Sequence, residues 1–113
     1  MRLATLAAAV VVGMAAASSV PAAPPAKPVP VIVIRNMAFG PAPAGLKVGD
    51  QLMFRNEDIF RHTATSPAGG FDLDLAPKAQ GVVRLSRAGA LAVTCRYHPG
   101  MTLALKVAPA GRR

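Results

Sequence analysis

The chain has no tryptophan, one tyrosine, two histidines, five acidic residues and a single cysteine among its 113 residues. Each shortage excludes something. A lone cysteine cannot build a disulfide framework within the chain or a cysteine-only zinc site. Only 4% of residues are aromatic while 52% are hydrophobic, so the core has to be made of small aliphatic side chains. Two histidines and five acids supply few parts for a hydrolytic site. No Ser-His-acid grouping with a local signature, glycine-rich phosphate loop or internal repeat is present. What the chain has in excess is positive charge, 13 Lys and Arg for a formal net of +8. That balance by itself points to nucleic acid, an anionic membrane surface or an acidic protein partner.

The N-terminus narrows the choice. Met1-Arg2 is a short positive region, followed from Leu3 to Ala17 by a run of almost only Ala, Val and Leu. Small residues then cluster at Ala15-Ala16-Ala17 and at Val20-Pro21-Ala22. This is the layout of a secretory signal peptide over residues 1–22, and the expected location is the periplasm. An uncleaved membrane anchor is the weaker alternative, because the run is Ala-rich and only just reaches spanning length. Export argues against nucleic acid as the partner. Removal of residues 1–22 takes Arg2 and no acid, leaving 12 cations against five acids, a net of +7. Residues 23–30 contain four prolines, which lack amide donors and have a fixed φ, so this stretch reads as a semi-rigid tether. The domain is expected over residues 31–109, with a basic tail at 110–113, and it is long enough for one small core.

Along that domain the apolar pattern has period two, and nowhere does it follow helical spacing for ten residues. Strands are expected at Val31–Ile34, Leu46–Val48, Gln51–Asn56, His62–Thr65, Gly81–Leu85, Leu91–Cys95 and Met101–Val107. Seven or so short strands separated by Gly and Pro turns indicate an all-β antiparallel sandwich or barrel.

The chemistry is concentrated in Cys95-Arg96-Tyr97-His98-Pro99-Gly100-Met101, where thiol, imidazole and thioether recur every three residues. His62 lies 33 residues before the cysteine, at the start of an expected strand. Thiolate and thioether favour reduced copper, and imidazole accepts both oxidation states; two His, one Cys and a weak axial Met are the donor set of blue-copper sites. A tight loop between two strands can aim three donors at one point while His62 closes the site from a neighbouring strand. Taken singly, Cys95 reads as buried filler, His62 and His98 as loop residues and Met101 as core. Their combined spacing is what carries the metal reading.

At these residues the sequence resembles the cupredoxins, in particular small periplasmic members of the amicyanin, plastocyanin and pseudoazurin type. The resemblance runs from Val31 to Val107 and includes Phe39-Gly40-Pro41, Val48-Gly49-Asp50, Asn56 and Asp58 before His62-Thr63, Phe71, and the Cys95 to Met101 motif. It implies a Greek-key β-sandwich holding one type 1 copper ion through His62, Cys95, His98 and Met101. It also implies that the Thr63 amide donates to the cysteine sulfur and that Asn56 ties neighbouring loops. The implied role is to shuttle single electrons between larger redox proteins. Val93 stands where members commonly carry an aromatic residue, and Ala and Leu replace a Tyr- or Phe-rich core.

Four protein ligands leave no open position for substrate, so the protein is not expected to be an enzyme. The partners expected are a redox donor and acceptor with an acidic docking surface, steered by Arg61 and Arg96, with peripheral contact to an anionic membrane and a monomeric state. Electrons are expected to pass at the His98 edge, within an apolar rim of Phe39, Pro41, Pro99 and Met37. A copper-storing or copper-delivering protein without redox cycling is the alternative, and a metal-free adhesive sandwich is a third reading.

Overall fold

β-Branched side chains are stiff at χ1 and pack well on a pleated surface, and the run Val31-Ile32-Val33-Ile34 opens strand β1 (Val31–Arg35). The computed structural model describes residues 4–5, 7–13 and 28–111. β1 turns through Asn36 and Met37, both at positive φ (51° and 61°), into β2 (Ala38–Phe39). Two left-handed residues between paired strands match the right-handed twist of a tight hairpin. β3 (Gln51–Asn56), β4 (His62–Ser66), β5 (Phe71–Leu75), β6 (Gln80–Arg84), β7 (Gly89–Thr94) and β8 (Thr102–Val107) follow.

These form two four-stranded sheets, ordered β2-β1-β3-β6 and β5-β4-β7-β8. All pairings are antiparallel except β1 with β3. No strand pair inside either sheet joins β3 to β4, β5 to β6 or β6 to β7, so the chain crosses between sheets at these three points. The expected all-β sandwich is present.

Alternation decides what each sheet buries. Ile32, Ile34, Leu52, Phe54 and Val83 face inward from one sheet; Ala64, Leu75, Leu91, Val93, Leu105 and Val107 do so from the other. Phe54, fully buried, has Phe39 at 6.3 Å edge-on and Phe71 at 5.9 Å. Three of the four phenylalanines therefore meet in one core cluster.

Two segments differ from expectation. Leu46–Val48 is not a strand among the described residues; it makes one isolated parallel bridge, Lys47 to Ala108. Leu46 is nonetheless buried, and the backbone bonds between Val48 and Ala108 and between Ala108 and Leu46 hold the segment beside the end of β8. Phe71–Leu75, absent from the expected strands, is a full strand at the sheet edge. Its exposed Asp72 and Asp74 alternate with Phe71, Leu73 and Leu75, a period-two pattern obscured by two acids in five residues. The tether also joins the sheet at its last residue: Pro30 has no donor, but its carbonyl accepts from the Met53 amide at 2.9 Å. Both candidate cleavage motifs, at 15–17 and 20–22, and tether residues 23–27 lie outside the described residues. Among the described residues no helix is long and apolar enough to cross a membrane.

The strand directions define two ends. One gathers the ends of β1, β3, β5 and β7 with the starts of β4, β6 and β8, and it carries His62 and the Cys95–Met101 loop. The other receives Pro30 and holds the ends of β6 and β8. Because Phe54 links both sheets to β2, Phe54→Ala should lower unfolding stability by about 3–5 kcal/mol. Equilibrium urea unfolding with an unchanged m-value measures this.

Candidate metal centre

His62 is the first residue of β4 and completely buried; Cys95 directly follows β7 and is 6% exposed. Between Cys95 and β8 the chain makes a compact turn. The Cys95 amide donates to the Met101 carbonyl, and the Met101 amide donates to the His98 carbonyl, both at 3.2 Å. Gly100 closes this turn at φ 90°, a conformation that side chains with a Cβ rarely adopt. The short loop brings His98 back over the sulfur.

The three donors face one another. Cys95 Sγ lies 3.5 Å from His98 Nδ1 and 3.8 Å from His62 Nδ1, and all three ligand atoms lie within 4.8 Å of one another. Bonds of about 2.0 Å to nitrogen and 2.3 Å to sulfur, set in a trigonal plane, separate such donors by roughly 3.7 Å. The spacing therefore fits a single cation held by two imidazoles and a thiolate. Met101 is buried at the base of the same loop, 6% exposed.

Behind His62 stands a carboxylate. Asp58 Oδ2 is 2.9 Å from His62 Nε2 and also accepts from the Met37 amide at 3.0 Å, while Oδ1 accepts from the Ile59 amide. His62 lowers the Asp58 pKa most, followed by the Met37 amide. An ionised carboxylate only accepts, so Nε2–H donates to Asp58 and Nδ1 is left facing the sulfur side. Asp58 is placed in turn by Asn56, whose Oδ1 accepts from the Asp58 amide. Asn56 Nδ2 donates to the carbonyls of Phe60, Leu75 and Ala76. The loop-tying role implied for Asn56 is present, with every bond at 3.3 Å or less.

The thiol is tuned by opposing influences. Burial is the largest and pushes its pKa up. Hydrogen bonds from the Thr63 amide (3.4 Å), His62, His98 and the Tyr97 amide together outweigh burial and bring it down from 9.0 to about 6. The Thr63 donor to sulfur is the one implied by the sequence resemblance.

Around the loop, arginines are matched to acids. Arg96 pairs with Asp72, which also accepts from Thr65 Oγ1 at 2.8 Å. Arg61 pairs with Asp74 at 2.7 Å, and Tyr97 donates to the same carboxylate at 2.9 Å. Arg61 and Arg96, expected to steer a partner, are thus both engaged by β5, which straps the ligand loop to the sheet edge.

His98 is half-buried, with its ring 4.7 Å from His62 and 6.4 Å from Phe60. Phe60 and Ile59 are 50% and 72% exposed, and the sequence reading missed both. Their signal was an apolar pair inside an otherwise polar loop between Asn56 and His62. Phe39, expected on the rim, instead packs inward against Phe54, whereas Met37 and Pro99 are exposed.

No protein-family model matches the chain, and no curated protein matches it in sequence. Solved structures do share its fold. A methionine-to-alanine variant of amicyanin in its Cu(I) form superposes with TM-score 0.60 at 22% identity, covering 73% of this chain and 84% of that one. An oxidised methionine-to-leucine variant of amicyanin gives 0.60 at 21% over the same shares. A purple cupredoxin from Nitrosopumilus maritimus gives 0.58 at 18%, covering 70% of this chain and 99% of that one. The chain has the cupredoxin fold, and its His62, Cys95 and His98 are placed to hold one metal ion.

Two outcomes follow from this geometry. In the copper-free protein, ultraviolet thiolate absorbance should titrate with a midpoint about 6. A folded-state pKa below the unfolded value stabilises the fold above the unfolded pKa of 9.0, and that stabilisation is lost as pH falls through about 6. Unfolding measurements across this window should show the loss, and Cys95→Ser should flatten it. Asp58→Ala should weaken copper affinity by about 10–100-fold through loss of the His62 orienter, as read by competition with a chelator of known affinity.

Proposed function

We infer that this protein is an exported type 1 copper protein that carries single electrons between redox partners. The observation that carries this reading is the convergence of His62 Nδ1, His98 Nδ1 and a Cys95 thiol of lowered pKa on one point inside a cupredoxin fold. Residues 1–22 act as signal peptide, 23–30 as tether and 110–113 as basic tail, and the periplasm is the compartment. Met101, buried under the loop, would supply a thioether as the fourth, weak donor.

Copper bound there supplies reversible one-electron chemistry between Cu(II) and Cu(I). The chain's own contribution is to hold the donors still. The Thr63 amide fixes the sulfur, Asp58 fixes His62, and the hydrogen bonds between Cys95, His98 and Met101 fix the loop. A ligand set held by hydrogen bonds within the protein has little to rearrange when charge changes, which favours fast transfer. The half-buried His98 edge, beside exposed Phe60 and Ile59, offers a partner an apolar, desolvated contact close to the site. Because Arg61 and Arg96 are paired with Asp74 and Asp72, contact at this edge rests on its apolar surface more than on charge. Four side-chain ligands leave no position for substrate, so the role is that of a carrier and not an enzyme. The protein acts as a monomer.

Purified protein should take up one equivalent of Cu(II) and show the intense visible thiolate-to-copper band, lost in Cys95→Ser. Met101→Leu should keep the band and shift the reduction potential. Stoichiometric uptake with no such band sinks the type 1 assignment. Ready copper release to an apo-acceptor with slow electron self-exchange would favour the storage or delivery reading instead.

A further inference from the structure

Charge is partitioned between the two ends of the sandwich. Of five acids, four surround the metal end: Glu57 pairs with Arg35, Asp58 with His62, Asp72 with Arg96 and Asp74 with Arg61. Adding Arg55 and Lys78, that end carries five Lys or Arg against four acids, a net of +1.

The opposite end is different. Arg84 closes β6 across from Gln51, Lys47 bridges to Ala108 just past β8, and Lys106 lies opposite Ala90 at the start of β7. Arg87, between β6 and β7, donates to the carbonyls of Pro67 and Ala68, neutral partners that leave its charge intact. All four side chains are exposed, and among the described residues none meets a carboxylate. The one acid here is Asp50, whose carboxylate accepts from the Lys47 amide at 3.1 Å. The chain also joins the domain at this end: Pro28, Val29 and Pro30 line a surface cleft with Arg84 and Asp50. By sequence, Lys27 precedes Pro28, and Arg112-Arg113 follow Gly111. Among the described residues this end therefore carries four cations against one acid, a net of +3.

We propose that this base is a docking surface for an anionic phospholipid bilayer and that it holds the metal end facing away from the membrane. Lipid is favoured over an acidic protein by the connectivity. The uncharged apolar run of residues 3–20 leads into the base through residues 21–30, a span of about 30 Å if extended as polyproline. Export along that run delivers this end of the domain to the membrane face first, and Lys47, Arg84, Arg87 and Lys106 project there from both sheets and the loops between them. The metal end, nearly neutral with its apolar His98 edge, stays available to soluble partners. This surface is independent of whether copper is bound.

The test uses the full chain and vesicles of phosphatidylglycerol and phosphatidylcholine, with pure phosphatidylcholine vesicles giving the contribution of the apolar run. Lys47→Glu/Arg84→Glu should reduce the extra partitioning into anionic vesicles by about 25-fold or more, taking about fivefold for each cation lost. The charge-matched control Arg55→Glu/Lys78→Glu, at the metal end, should change it far less, and rising salt should erase the difference. Tyr97 is the only tyrosine, the chain lacks tryptophan, and its ring is 47% exposed at the metal end. Its emission should stay as open to acrylamide quenching on anionic vesicles as in solution. Equal losses in both double variants, shielding of Tyr97, or identical binding to neutral and anionic vesicles overturns the proposal. So does binding to polyglutamate with none to the anionic vesicles, which puts an acidic protein in the bilayer's place.

Discussion

The structure depends on making one buried sulfur tolerable as an anion. A thiolate removed from water is costly unless donors replace the lost solvent. Those around Cys95 come from separate parts of the chain: the Thr63 amide and His62 from β4, His98 and the Tyr97 amide from the loop after β7. β4 and β7 meet through the single pairing Thr65 to Thr94, so this register brings Thr63 to the sulfur. A one-residue slip would turn β4's buried side chains to the opposite face. The arrangement that lowers the thiol pKa is therefore the one that prepares a metal site, before any ion enters it.

Support for that site extends beyond the ligands through two polar side chains. Asn56, fully buried, bonds to three carbonyls and to the Asp58 amide; Asp58 then reaches both His62 and the Met37 amide in the β1–β2 turn. Met37 is one of three non-glycine residues at positive φ among the described residues. Its amide has a carboxylate partner, so the turn and the ligand stabilise each other. Among the described residues no buried side-chain polar atom lacks a partner, as a small core with buried Asn, His, Thr and Ser demands.

The basic composition acquires a direction from the fold. As a total of +8 it names only a class of partner. Once strands are placed, the acids fall around the metal loops and the unmatched cations fall at the base. The metal-ligand cluster and the cationic base thereby occupy different ends of one small sandwich. The same separation leaves the His98 edge beside Phe60 and Ile59, where dense charge would add desolvation cost to a transient contact.

Much of this was legible without coordinates, because it is local. Period-two alternation at Gln51–Asn56 and Leu91–Cys95 identified strands and their inward faces, and the three-residue spacing of Cys95, His98 and Met101 identified a donor loop. Less legible were elements whose state depends on distant neighbours. Phe71–Leu75 became a strand by pairing with β4, and Leu46–Val48 did not become one because only a single bridge to Ala108 was on offer. Phe39 turned inward because Phe54 was there to meet it, and Arg61 and Arg96 lost their free charge to acids 13 and 24 residues away. Periodicity and donor chemistry are properties of short segments, so the all-β class and the side chains able to bind metal can be read along the chain. Folding alone makes His62 Nδ1 face the sulfur, brings the thiol pKa down to about 6 and leaves one end of the sandwich cationic. Each of these rests on contacts between residues far apart in the chain, and the packing of the two sheets brings them together.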